Sequence, residues 1–100
     1  MEINGTKNGS ALDIALAGRL DTVTSPELEE YLKSHLDGVE ALAIDLAETQ
    51  YVSSAGLRVI LFAQKEMMKS GGTLVVRHPN EYIMEVFEAT GFTDFLTIEE

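Results

Sequence analysis

Two adjacent serines, set between a strand-like run and an apolar helix, are the residues of this chain best placed for chemistry. They stand in Thr49-Gln50-Tyr51-Val52-Ser53-Ser54-Ala55-Gly56-Leu57-Arg58, shortly after the apolar run Ala41–Leu46. The first N–H groups of a helix have no intrahelical acceptor, and the helix dipole adds partial positive charge beside them. Such an end accommodates an anion, including a phosphate carried on its own serine. A serine there can change its charge without breaking the fold. Ser53 or Ser54 can equally serve as a plain helix cap, a role worth about 1 kcal/mol.

Other chemistries fit the same residues poorly. A strand–serine–glycine–helix order is also the layout of a nucleophile elbow, Gly-x-Ser-x-Gly, but Val52 stands where the first glycine would be. A triad would need a downstream histidine, and only His78 lies downstream, beside Pro79 at an expected helix start where a surface or capping role suits it. No Gly-x-x-x-x-Gly-Lys-Ser/Thr loop and no Gly-x-Gly-x-x-Gly occurs. His35 and His78 are the only histidines, and neither has a carboxylate at ligand-like spacing; His35 is expected half-buried on the first helix. Met67 and Met68 read as core filler. No catalytic residue, cofactor or metal is expected.

The elements that position the serines follow from pattern. Asn8-Gly9 predicts a tight turn joining Met1–Lys7 and Ser10–Ala17 as a hairpin, the second arm alternating Leu12, Ile14 and Leu16 with smaller or polar residues. Thr24-Ser25-Pro26-Glu27 predicts a helix start with a hydroxyl cap; Leu28, Tyr31, Leu32 and His35 mark one face, and the helix ends near Gly38. Ala41–Leu46 predicts a buried parallel strand. Ala55–Lys69 predicts the longest helix, with Leu57, Ile60, Leu61, Gln64, Met67 and Met68 on its apolar stripe, stopped by Ser70-Gly71-Gly72. Thr73–Arg77 reads as a strand, Pro79–Ala89 as a helix with Ile83, Val86 and Phe87 inward, and Phe95–Ile98 as a last strand. The order β-β-α-β-α-β-α-β implies an α/β fold with a mainly parallel sheet and an N-terminal antiparallel strand.

Size and charge bound the rest. A chain of 100 residues, 45% hydrophobic and without a linker-like segment, suits one domain spanning residues 1–100. Cysteine is absent, so disulfide and thiolate chemistry are excluded. No apolar run approaches the roughly 18 residues of a membrane span, and no signal-peptide pattern opens the chain, so a soluble cytoplasmic protein without membrane insertion is expected. Seventeen acids against seven Lys and Arg give a net charge of −10, and the basic residues are scattered. Direct binding to nucleic acid is therefore not expected.

Two blocks resemble a known family. Leu16-Ala17-Gly18-Arg19-Leu20-Asp21 resembles the Leu-x-Gly-x-Leu-Asp of STAS domains, and Tyr51-Val52-Ser53-Ser54-Ala55-Gly56-Leu57 resembles their Asp/Ser-Ser-Ser/Thr/Ala-Gly-Leu switch segment. With the element order, they make the whole chain similar to a stand-alone bacterial anti-anti-sigma factor (anti-sigma factor antagonist). The resemblance implies that the phosphorylated serine, two residues before the glycine, is Ser54. Ser53 takes a place often held by aspartate and is a second candidate acceptor. The implied partners are an anti-sigma factor that is itself a serine kinase and a metal-dependent serine phosphatase. Asp21, Thr22, Ser53, Ser54, Ala55, Gly56 and Arg58 are then expected at the partner surface. Asp21 is equally suited to capping its own turn, Gly56 to a close approach of partner or strand, and Arg58 to pairing with phosphate or to solvation. The alternative implied by the same resemblance is a structural subunit of a lipid-transporting ABC transporter; a scaffold in a stress-sensing complex is a further one.

Overall fold

Gly9, at φ 65, turns the chain back between β1 (Glu2–Asn8) and β2 (Ala11–Leu20), so that Asn8 and Ala11 face each other. The loop is therefore Gly9-Ser10, not Asn8-Gly9. Only its first residue has positive φ, which glycine adopts at little steric cost, while Asn8 stays in the ladder. The computed structural model describes all 100 residues, Met1–Glu100. After β2 follow α1 (Ser25–His35), β3 (Ala41–Val52), α2 (Ser54–Lys69), β4 (Thr73–Arg77), α3 (Glu81–Ala89), a 3-10 turn (Phe92–Asp94) and β5 (Thr97–Glu99).

The five strands lie in the order β1-β2-β3-β4-β5, with β1 antiparallel to β2 and every other pair parallel. This is the α/β architecture that the alternation of elements requires. Parallel neighbours in chain order, joined by right-handed crossovers, place all three helices on one face of the sheet. Burial follows that geometry. Ile14, Ile44 and Val76 are fully buried with Leu28, Leu32, Ile60 and Phe87, while Asp13, Ala15, Ala41 and Thr73, on the opposite face, are exposed. On that open face the Arg77 guanidinium reaches Asp13 at 3.7 Å and Glu99 at 3.2 Å.

β2 and β3 both run further than their apolar patterns. β2 continues beyond Ala17 to Leu20 and β3 beyond Leu46 to Val52, because their main chains keep pairing: Ala17 with Glu48, Gly18 with Thr49, Arg19 with Tyr51, Leu20 with Val52. Two register shifts interrupt this ladder. Exposed Glu48 and Gln50 end the hydropathy signal before the hydrogen bonding ends. Buried Thr49 stitches the irregular stretch, donating its hydroxyl to the Leu16 carbonyl at 2.8 Å.

The helix ends also differ from the expectation. Thr24 occupies the N-cap of α1 without capping it, since its hydroxyl donates to the Arg19 carbonyl and accepts from the Asp21 N–H. α1 ends at His35, short of Gly38, and His35 is exposed, its ring stacked 3.9 Å from that of Tyr31. On α2 the buried residues are Gly56, Leu57, Val59, Ile60, Ala63 and Met67; Met68 points into solvent and is no core filler. α3 starts at Glu81 because Asn80 caps it, accepting from the Ile83 N–H at 2.7 Å. His78 instead adopts φ 58 on the surface and pairs through Nδ1 with Asp45 at 3.1 Å. Ile83 and Phe87 are buried as expected, Val86 only partly. Phe95 and Leu96 still donate to the Phe92 carbonyl, so the last strand begins at Thr97 and not at Phe95.

Candidate functional site

The C-terminal ends of β2 and β3 lie side by side, and the loops leaving them are tied together. The Leu20 carbonyl accepts the Ser53 N–H at 2.9 Å. Gly56, one turn into the helix, lies so close to Leu20 that an added Cβ would stand 2.8 Å from both its Cγ and its carbonyl oxygen. Parallel strands end on the same edge, where α/β folds place their sites. That edge brings Asp21 and Thr22 next to the Ser53-Ser54 segment.

The two serines have different tasks. Ser53 is the N-cap of α2, extended at φ −92 and ψ 177, and its Oγ accepts the Gly56 N–H at 3.3 Å. Its carbonyl takes the Leu57 N–H at 2.9 Å. Ser54 is the first helical residue, exposed, and its hydroxyl enters no hydrogen bond within the chain. The Ser54 and Ala55 N–H groups find no acceptor either, as the first turn of a helix dictates. A capped helix start thus presents a free hydroxyl beside free donors.

Asp21 builds the neighbouring loop. Its Oδ1 accepts from the Val23 N–H at 3.0 Å, the Thr24 N–H at 3.1 Å and the Thr24 hydroxyl at 3.2 Å. The Thr24 N–H above all holds the carboxyl below its ordinary value; desolvation opposes this, and the Val23 N–H, Thr24 hydroxyl and Arg19 guanidinium reinforce it. The carboxylate is therefore committed to its own turn, and it leaves Thr22 and Val23 standing outward, Val23 at 82% exposure. Of the remaining expected residues, Arg58 is exposed, Ala55 half-buried and Gly56 buried against Leu20. Gly56 serves the close approach of α2 to the strand end and has no surface to offer a partner.

Two features escaped the sequence pattern. The Arg19 guanidinium lies 4.3 Å above the Tyr51 ring, which stacks at 5.7 Å on Tyr82, forming a strip beside the serines. Asn80 secures it by donating from Nδ2 to the Thr49 and Gln50 carbonyls at 3.3 and 3.4 Å. The second is a cleft of about 220 Å3 between the starts of α1 and α2, lined by Thr22, Ser25, Pro26, Glu29, Ala55, Arg58 and Val59. Both join residues some 30 positions apart, and no local spacing signals them. Proline in the first turn of α1 was the nearest hint.

Residues 2–100 match the family model of the STAS domain. The chain is 33% identical over 90 residues to the anti-sigma-B factor antagonist of Listeria monocytogenes, covering 88% of this chain and 78% of that one. The fold superposes on the Thermotoga maritima protein TM1081 with a TM-score of 0.92 at 17% identity, over 98% of this chain and 86% of that one. The phosphorylated form of the Bacillus cell fate determinant SpoIIAA superposes with a TM-score of 0.77 at 15% identity, over 97% and 90% of the two chains.

Proposed function

The chain belongs to the STAS domain family, among the anti-sigma factor antagonists, and from that premise we propose that it is the antagonist in a phosphorylation-controlled partner switch. Unmodified, it binds an anti-sigma factor that is a serine kinase, and the sigma factor is released. The kinase transfers the γ-phosphoryl group of its own ATP to the Ser54 oxygen; the hydroxyl proton leaves and ADP is the second product. The phosphorylated chain no longer binds, and a metal-dependent serine phosphatase hydrolyses the ester to restore it. In this cycle the chain is substrate and ligand, not catalyst, and it acts in the cytoplasm.

One observation carries this reading: Ser53 already caps α2, so the adjacent Ser54 hydroxyl stands exposed and free at the helix start. The phosphate adds about −1.5 to −2 charges beside unpaired N–H groups, where the helix end tolerates them. The same group in a close-packed interface brings bulk, desolvation and repulsion. A loss of about 2.7 kcal/mol weakens binding roughly a hundredfold, and no refolding is needed. The survival of this fold in phosphorylated SpoIIAA supports the same view.

The test is phosphorylation by the organism's anti-sigma kinase with labelled ATP. Wild type and Ser53→Ala should both take label, and Ser54→Ala none. Persistent labelling of Ser54→Ala would move the acceptor to Ser53 or elsewhere and overturn the assignment.

A further inference from the structure

The cleft between the starts of α1 and α2 is lined in part by Ser25, whose Oγ is the one buried side-chain polar atom of the chain that lacks a partner. Ser25 is 3% exposed, and its N–H is already taken by the Asp21 carbonyl at 2.8 Å. A buried hydroxyl without a partner is costly, and a native fold keeps one mainly where something else supplies the bond. The cleft's charged rim is unequal. Glu29 pairs with Lys33 at 3.2 Å, whereas Arg58, like Lys7 and Lys65, pairs with no carboxylate of the chain. An unpaired guanidinium and an unpaired hydroxyl donor together fit a carboxylate, which accepts from both. A volume of about 220 Å3 admits a single side chain.

Arg58 also stands four residues after Ser54 on the same helix, the spacing at which side chains meet. The geometry points to a shared cation: in the unmodified protein the cleft binds an aspartate or glutamate side chain of the partner kinase through Arg58 and Ser25, and a phosphate on Ser54 takes Arg58 away from it. The inference rests on the switch proposed above and supplies its local mechanism. Phosphorylation then acts twice, by placing negative charge beside the incoming carboxylate and by occupying the cation that would hold it. Thr22 and Pro26 close the cleft on the α1 side. Arg58 is exposed, so replacing it leaves the core untouched.

The experiment measures the affinity of the purified anti-sigma kinase for wild type, Ser54→Asp, Arg58→Ala, Arg58→Ala with Ser54→Asp, and Ser25→Ala, with melting temperature as the control. Arg58→Ala and Ser25→Ala should each bind about tenfold or more weakly while melting no lower than wild type. Ser54→Asp should cost about a hundredfold in the Arg58 background and less than about tenfold in the Arg58→Ala background. In a protein carrying phosphoserine at position 54, phosphorus NMR should show the second phosphate ionisation at lower pH with Arg58 present than with Arg58→Ala. Wild-type affinity of Arg58→Ala, an undiminished Ser54→Asp penalty beside it, or an unmoved phosphate titration overturns the shared cation and leaves the switch standing. Equal binding by wild type and Ser54→Asp overturns the switch itself.

Discussion

Gly56 and Leu20 are in contact at the point where the two functional loops meet. A methyl group on Gly56 would stand 2.8 Å from the Leu20 carbonyl oxygen, and that oxygen is held in place by the Ser53 N–H at 2.9 Å. The helix that carries Ser54 is thus set directly against the strand end that carries Asp21.

Gly56→Ala should therefore be destabilising even though alanine is the better helix former. The Leu20 side chain is fully buried in the core and its carbonyl is held by the Ser53 N–H, and overpacking of this kind costs about 1–3 kcal/mol. Urea denaturation reads the loss directly. An unchanged midpoint would mean that α2 slides freely along the strand end, and the tie between the loops would be discarded.

The two serines should separate in stability as they do in role. Ser53→Ala removes the cap of α2 and should cost about 1 kcal/mol. Ser54→Ala removes a hydroxyl that bonds to nothing in the chain and should stay within about 0.5 kcal/mol of wild type. Thermal melts of both proteins decide the matter; the reverse order would place the cap on Ser54.

Ser25→Ala should raise stability. Its hydroxyl is buried at 3% exposure without a partner, and removing such a group relieves a desolvation cost of about 1 kcal/mol or more. A lower urea midpoint would show that the hydroxyl is bonded in solution.

Acid should destabilise the protein through specific carboxylates. Asp45 is pushed up by desolvation, but the Ala47 N–H and the His78 ring outweigh this, aided by the charges of His78 and Arg77, and hold it below its ordinary value of 3.8. A depressed carboxyl contributes stability that is present above the unfolded value and lost as pH falls through the folded one. The loss should therefore begin just below pH 4 and deepen downward. Asp45→Asn should flatten this limb, with a difference at pH 7 below about 1 kcal/mol for a carboxylate that is only half-buried. A curve as steep for Asp45→Asn as for wild type would remove Asp45 from the account.

The expected features that held were those written in local periodicity. Alternation in Leu12, Ile14 and Leu16 and the helical stripe from Leu57 to Met67 report which side chains must leave water. The alternation of strands with helices then leaves one economical way to arrange them. Turn and cap chemistry was legible as to place and less so as to agent. Thr24 is at the start of α1, yet its hydroxyl serves the β2–α1 loop; His78 precedes α3, yet Asn80 caps it. Each such hydroxyl or amide has several acceptors or donors within reach, and only the folded geometry chooses among them.

By itself the sequence determined that a serine pair would stand at the start of a long apolar helix after a parallel strand. Capping propensity treats adjacent serines alike; the register of the family resemblance pointed to Ser54, but which hydroxyl would be free of bonds was not determined. Tertiary structure made that choice. The Leu20 carbonyl holds the Ser53 N–H, the contact with Gly56 sets the helix against it, and the Ser53 hydroxyl is left facing the Gly56 N–H. Ser54 begins the helix one residue later, exposed to solvent, near a cation and a cleft assembled from residues that only folding brings together.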